Sequence, residues 1–311
     1  MMVEAVAERL APHVLEIEGI NYIGAGSDKI VIGVKSEEYA VRIPRTLAGI
    51  PVEVIVTGEV RPLVATVEIV KAQKVRPVVG GLSISPPEEI AGTLGVVGYY
   101  GNIISNAHVL AIDWRNGEFY PVGTAIYQPA LLDNPLEAEQ IGTLTAYSKI
   151  VFNDANANNR IDAAIGVCDV EYQKGVVYEI GKASGIVLPE KDLEVEKTGR
   201  TTGHSKGKII AVGGSIKVEG YPQGWAVFKD VILTTAMSEP GDSGSMLIHD
   251  DKFVGLIFAG SDKVTVAARA EYLYGFGVAL GEEETAISLR QLAVAIPIIA
   301  AGGIVSLEGF R

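Results

Sequence analysis

The spacing of apolar positions changes along this chain. Over residues 2–18, Val3, Val6, Leu10 and Val14 recur at three- and four-residue intervals, which predicts one buried helical face. Pro12 predicts an end to that helix at or just after it. Short β-branched runs follow, INYIG, KIVIGVK, YAVRIP and PVEVIVTGEV, parted by glycine or charged turns. They predict a small α/β unit over residues 1–75, its last strand signal ending before residue 72.

After KVRPVVGG the pattern becomes a long series of short strand signals: GTLGVVGYY, NIISNAHVL, TAIYQP, QIGTLTAY, DAAIGVCDV, YEIGKA, LEVEKTG, GKIIAVGGSIKVEG, FKDVILTTA, SMLIHD, FVGLIFAG and YLYGFGVAL. Such runs, recurring every ~8–12 residues with glycine turns, predict a sandwich or barrel and not βαβ units. EETAISLRQLAVAI, residues 283–296, returns to helical spacing and predicts a closing helix. The expected organisation is therefore an α/β unit over 1–75, a β domain over 76–290 and an apolar helix or tail over 291–311.

Composition narrows the partners. Of 311 residues, 48% are hydrophobic and 21% charged, a globular balance with ample core. The formal charge of −12 argues against nucleic acid or an anionic membrane as the main partner. One cysteine, Cys168, cannot make an internal disulfide, and the acidic start MMVEAVAERLAPHVLEIEG is unlike a signal peptide, so a cytoplasmic protein is expected. The run LAVAIPIIAAGGIVS at 292–306 is shorter than the ~18–20 residues of a spanning helix and is broken by Pro297, Gly302 and Gly303. It reads as a surface buried on the body or on a partner copy, which makes homo-oligomerisation through the tail or the first unit an expectation and argues against membrane association.

SEPGDSGSML, residues 238–247, carries the candidate chemistry. Glycine and proline make it a poor helix and a poor strand interior, so it reads as a loop whose backbone shape matters. A serine hydroxyl there becomes a nucleophile only with a base to take its proton and a third group to hold that base. The chain has four histidines. His13 lies in the first helix, His204 in a turn-rich stretch, and His249 six residues beyond Ser243 along one strand; His108, in IISNAHVLA, ends an apolar strand. Asp162, in NRIDAAIGV, enters an apolar run where an unpaired acid is costly.

NAHVLA, IDAAIGV and EPGDSGSML, in the order His, Asp, Ser, resemble the three motifs of the chymotrypsin-like (trypsin-like) serine peptidases. VGLIFAG at 254–260 resembles that family's substrate-lining strand, and KTGRTTGHSKGKI at 197–209 is similar to the GRTTG turn of the alpha-lytic and streptogrisin branch. The resemblance covers roughly residues 76–290. It implies a mostly β fold of two six-stranded antiparallel β-barrels, here with a small N-terminal α/β domain and a C-terminal helix. It also implies a cofactor-free, metal-free serine endopeptidase acting on protein or peptide through an acyl-enzyme. Ser243 would be the nucleophile, His108 the general base and acid, and Asp162 its orienting partner; the N–H groups of Gly241 and Ser243 would hold the oxyanion. Counting back six residues from Ser243 gives Met237, with Ser238 beside it and Phe258, Ala259 and Gly260 on the facing strand, as the substrate pocket. No acid stands there, so an apolar side chain before the cut bond is expected.

Other readings compete for the same residues. GDSGS is not the G-x-S-x-G elbow of α/β-hydrolases, since position 245 is serine and that fold places its acid and histidine after the serine, where His249 is the one histidine available. DANANNRID, 154–162, places Asp154, Asn156 and Asn158 as in a calcium loop, but Ile165 stands where a bidentate glutamate is needed. Asp242 needs a buried partner: either an N-terminus freed within RPVVGG, 76–81, or, as the branch implies, Lys197 with Arg200 as second candidate. Lys206 stands where the branch has a cysteine. The first unit is compatible with a folding aid, an inhibitory flap or an oligomerisation module. A catalytically silent or latent scaffold of the same fold is the alternative function, for which an intact His108, Asp162 and Ser243 would be unexpected.

Overall fold

The computed structural model describes residues 2–65, 73–281 and 304–306. The helix Met2–Val14 runs through Pro12 and lays Ala7, Ala11 and Val14 on a sheet. That sheet contains Ile20–Ala25, Ile30–Val34 and Ile50–Val56, the last two parallel. A parallel pair needs a crossover, and residues 35–49 supply it through the helical turn Glu37–Ala40 and the short strand Thr46–Leu47. YAVRIP is therefore not a strand, contrary to its β-branched composition.

The sheet does not stop with the first unit. Ser215–Tyr221 pairs antiparallel with Ile20–Ala25 and carries Gly224–Lys229 on its outer edge, making six strands in all. A hairpin from far along the chain thus completes the N-terminal sheet.

Around the loop at 238–247 lies a closed six-stranded antiparallel barrel: Glu194–Gly199, Gly203–Val212, Ile232–Thr235, Val264–Arg269, Lys252–Gly260 and Met246–His249, the last pairing back to the first. The other β unit orders Ala125–Gln128, Glu139–Ser148, Ala164–Cys168, Asn102–Ser105 and Val96–Val97, and a bridge from Ser85 to Tyr127 joins it to the hairpin Ser83–Ile84/Gly92–Thr93. Among the described residues this second unit is an open path and not a ring closed by ladders, so one of the two expected barrels is closed. One core cluster contains Ile104 and Val109 of that unit together with Phe228, Leu233 and Phe258.

Further local expectations change. Val264–Arg269 and Tyr172–Val177 are strands that the pattern did not single out, and YEIGKA contributes only Gly181–Lys182. YLYGFGVAL is no strand: Ala270–Phe276 is a 3₁₀ helix ended by Gly277 at φ +71°, a left-handed cap that glycine takes without strain. The helix expected over 283–296 lies outside the described residues. Of the apolar tail, Ile304–Ser306 is described, and it is a strand paired with residues 146–148. No helix among the described residues is long and apolar enough to cross a membrane.

Candidate active site

His108 sits in the four-residue helix Ala107–Leu110, directly after the strand Asn102–Ser105. Asp162 precedes the strand Ala164–Cys168, which pairs with Asn102–Ser105, so ladder register brings the two residues together across 54 positions. His108 Nδ1 lies 2.6 Å from Asp162 Oδ2, and the backbone N–H of His108 donates to Oδ1 at 3.0 Å. Both side chains have zero exposure. The carboxylate facing Nδ1 orients the ring, and Nε2 is buried and has no hydrogen-bond partner among the described residues. An edge-on Trp114 and an edge-on Tyr221 flank the imidazole.

Three of the groups holding this pair were not singled out in the sequence. The Tyr221 hydroxyl donates to Asp162 Oδ2 at 3.1 Å, Asn106 Nδ2 donates to the Asp162 carbonyl at 2.6 Å, and Trp114 Nε1 donates to the His108 carbonyl at 2.7 Å. Burial and the neighbouring Asp162 carboxylate push the Tyr221 hydroxyl well above its ordinary pKa, so it remains a donor. Tyr221 comes from the hairpin that completes the N-terminal sheet. No sequence motif marks it, because its partner is 59 positions away.

The loop carrying Ser243 turns at Gly241, φ +106°, and Gly244, φ +98°. A Cβ on Gly241 would stand 2.2 Å from Thr201 Oγ1, and one on Gly244 would stand 2.0 Å from the Thr93 carbonyl, so both positions require glycine. The buried Asp242 anchors the loop from beneath. It accepts from the N–H groups of Thr201 (2.9 Å), Thr202 (3.1 Å) and Glu239 (2.9 Å) and from the Thr202 hydroxyl (2.7 Å), and Lys197 Nζ lies 3.1 Å away. Burial lowers the pKa of the Lys197 ammonium, against the raising pull of Asp242. Lys197 and not Arg200 meets Asp242; Arg200 forms a buried fork with Asp133 instead.

Ser243 itself is fully buried. A Cβ on Gly92 would lie 2.6 Å from the side chain of Val109, the residue after His108, and 3.2 Å from the Ser243 carbonyl, so that side chain and the serine backbone border one small gap. The hydroxyl nevertheless donates to the Phe258 carbonyl, 3.1 Å away, and not to His108. It accepts from the backbone N–H of Leu63, also at 3.1 Å. The residues singled out by the count from Ser243 lie around one cleft. Met237 and the buried Ser238 line a cleft of ≈ 1100 Å³ with Gly260, and Met237 belongs to an apolar cluster with Ile257 and Leu63. Phe258 and Ala259 lie on the same edge, facing Leu63 and Pro62.

The remaining candidates have structural duties. Asp154 accepts from the Asn156 N–H at 2.8 Å, and Asn159 clamps the Val151 and Val227 backbone, so this stretch uses its polar groups in a turn. His204 contacts Glu196 at 2.7 Å. Cys168 is half-buried and not fully enclosed.

No family model matches the chain, and no curated protein matches it. Solved structures do. The chain is similar to Cellulomonas bogoriensis chymotrypsin, at 20% identity and TM-score 0.45, covering 65% of this chain and 97% of that one. It is similar to Thermobifida fusca Protease A at 18% and 0.47, covering 66% and 98%, and to an alpha-lytic protease homolog, N4, at 21% and 0.45, covering 65% and 98%. These neighbours are chymotrypsin-like bacterial serine proteases.

Proposed function

We propose that this chain is a serine endopeptidase that cuts after apolar residues. The observation carrying the proposal is the buried Asp162–His108 pair, whose Nδ1 faces the carboxylate while Nε2 has no hydrogen-bond partner among the described residues. A fully buried imidazole nitrogen without a partner costs ~1–3 kcal/mol, an arrangement suited to receiving a proton during a reaction.

For the reaction, the Ser243 hydroxyl turns from the Phe258 carbonyl to His108 Nε2. Oγ bonds to the substrate carbonyl carbon as its proton passes to Nε2, giving an imidazolium opposite Asp162. The carbonyl oxygen becomes an oxyanion held by the N–H groups of Gly241 and Ser243. Collapse breaks the C–N bond, and His108 protonates the departing amine. Water then attacks the acyl ester by the same route, leaving a carboxylic acid and free Ser243. The apolar surroundings of Met237 and Ile257 support an aliphatic residue before the cut bond.

The test is labelling with a fluorophosphonate probe and hydrolysis of chromogenic peptides. Labelling of the wild type that disappears in Ser243→Ala is expected, with faster cleavage after Leu or Phe than after Arg. Faster cleavage after Arg would end the specificity reading, and a probe that leaves Ser243 unlabelled throughout would end the peptidase reading. A latent form is the second reading, favoured by one observation: the Ser243 hydroxyl is bonded to Phe258 and Leu63 and not to His108.

A further inference from the structure

The segment that ends the N-terminal unit lies in the cleft as an extended peptide. Arg61–Pro62 pairs antiparallel with Ala259 and Gly260 at the end of the strand Lys252–Gly260. The Leu63 N–H points at the Phe258 carbonyl, 3.4 Å away, and at Ser243 Oγ, while the Leu63 carbonyl accepts from the Gly241 N–H. Two residues on, Ala65 exchanges two hydrogen bonds with Ala91, at 2.9 and 3.0 Å. The backbone is thus held on both sides of one peptide bond. The Leu63 side chain is 4% exposed and packs with Met237 and Ile257 in the pocket.

We infer that the Leu63–Val64 peptide bond is this enzyme's own substrate, cut within the same molecule. The inference rests on the peptidase reading and adds the sequence it acts on first. The Leu63 carbonyl carbon is covalently joined to the oxygen that meets Gly241 and is one atom removed from the nitrogen that meets Ser243. The nucleophile and an oxyanion donor therefore flank that carbon. Attack by Ser243 Oγ breaks the bond from Leu63 C to Val64 N, and His108 delivers the serine proton to that nitrogen. Water then releases the acyl group as the Leu63 carboxylate, so one water is consumed and one new amino terminus, Val64, is formed. The site is distinct from the RPVVGG stretch at 76–81 considered in the sequence.

The experiment follows the freshly purified full chain by intact mass over time and over a dilution series, beside peptide hydrolysis and fluorophosphonate labelling of the same samples. Two fragments, 1–63 and 64–311, forming at a rate independent of concentration and absent from Ser243→Ala, are the expected result. Leu63→Asp places a charge in the apolar pocket and should slow the cut roughly 100-fold. Should that variant misfold, Val64→Pro retains Leu63 and should block the cut. Either folded variant cut at the wild-type rate overturns the inference, as does a cut that persists in Ser243→Ala. An uncut chain that still labels and hydrolyses peptides overturns self-cleavage and leaves the peptidase reading standing. A chain that neither cuts, labels nor hydrolyses overturns both.

Discussion

Asp242 and Asp162 are both fully buried carboxylates, and they differ in what compensates them. Asp242 is held by a cation, and removing one member of a buried ion pair costs about 3–5 kcal/mol because the other charge is stranded. Lys197→Met should therefore lower unfolding free energy in urea by that amount, and adding Asp242→Asn should recover part of it. Among the described residues Asp162 meets no Lys or Arg, only His108, Tyr221 and a backbone donor. Asp162→Asn should leave the fold intact but cost roughly 10⁴-fold in kcat, since the amide favours the wrong imidazole tautomer. Tyr221→Phe removes one hydrogen bond to a charged acceptor, worth about 1.5–3 kcal/mol, and should lower kcat/KM less than Asp162→Asn does. His108, Asp162, Ser243 and Lys197 were legible because each sits in a short motif of fixed residue types. Tyr221, Asn106 and Leu63 were not, because each acts only through a partner distant in sequence.

At the level of elements, the ladder between Glu194–Gly199 and Gly203–Val212 carries the turn that caps Asp242. On its outer face Glu196 stands opposite Lys206 and bonds His204. Burial pushes the Glu196 carboxyl up, but His204 and Lys206 together hold it below its ordinary value of 4.5. A depressed carboxylate adds stability that is fully present above pH 4.5 and lost as pH falls through the lower folded value. Glu196→Gln should remove that acid-side loss from a plot of unfolding free energy against pH, with an effect under about 1 kcal/mol at neutrality. Strand signals were readable where alternation was strong, as in GKIIAVGGSIKVEG. They failed at YAVRIP, where a parallel ladder demanded a crossover, and at YLYGFGVAL, where aromatic residues wrapped into a 3₁₀ turn.

For the molecule as a whole, the hairpin Ser215–Lys229 is the joint between the first unit and the rest. It gives two strands to the N-terminal sheet and Tyr221 to the Asp162 carboxylate. Deleting residues 1–60 would bare the edge of Ser215–Tyr221, an unpaired row of N–H and C=O groups that invites association. The truncated chain should melt at lower temperature and show a larger mass by light scattering. By the same joint, a fragment 1–63 produced by the cut should stay bound, so the two pieces should co-elute in native size exclusion and part only in denaturant.

The order of residue types along the chain determined that this is a mostly β protein with an α/β beginning, and it marked His108, Asp162, Ser243 and the Lys197 beneath them. The fold class rests on local rules, apolar period and glycine at turns; the four candidate residues rest on short motifs that resemble those of a known family. Tertiary structure alone decided that a hairpin would cross into the first unit's sheet, that Tyr221 would brace Asp162, and that Leu63 would lie against Ser243. The reason is physical: backbone edges and carbonyls pair with whatever strand the fold brings alongside, and no residue type records which strand that will be.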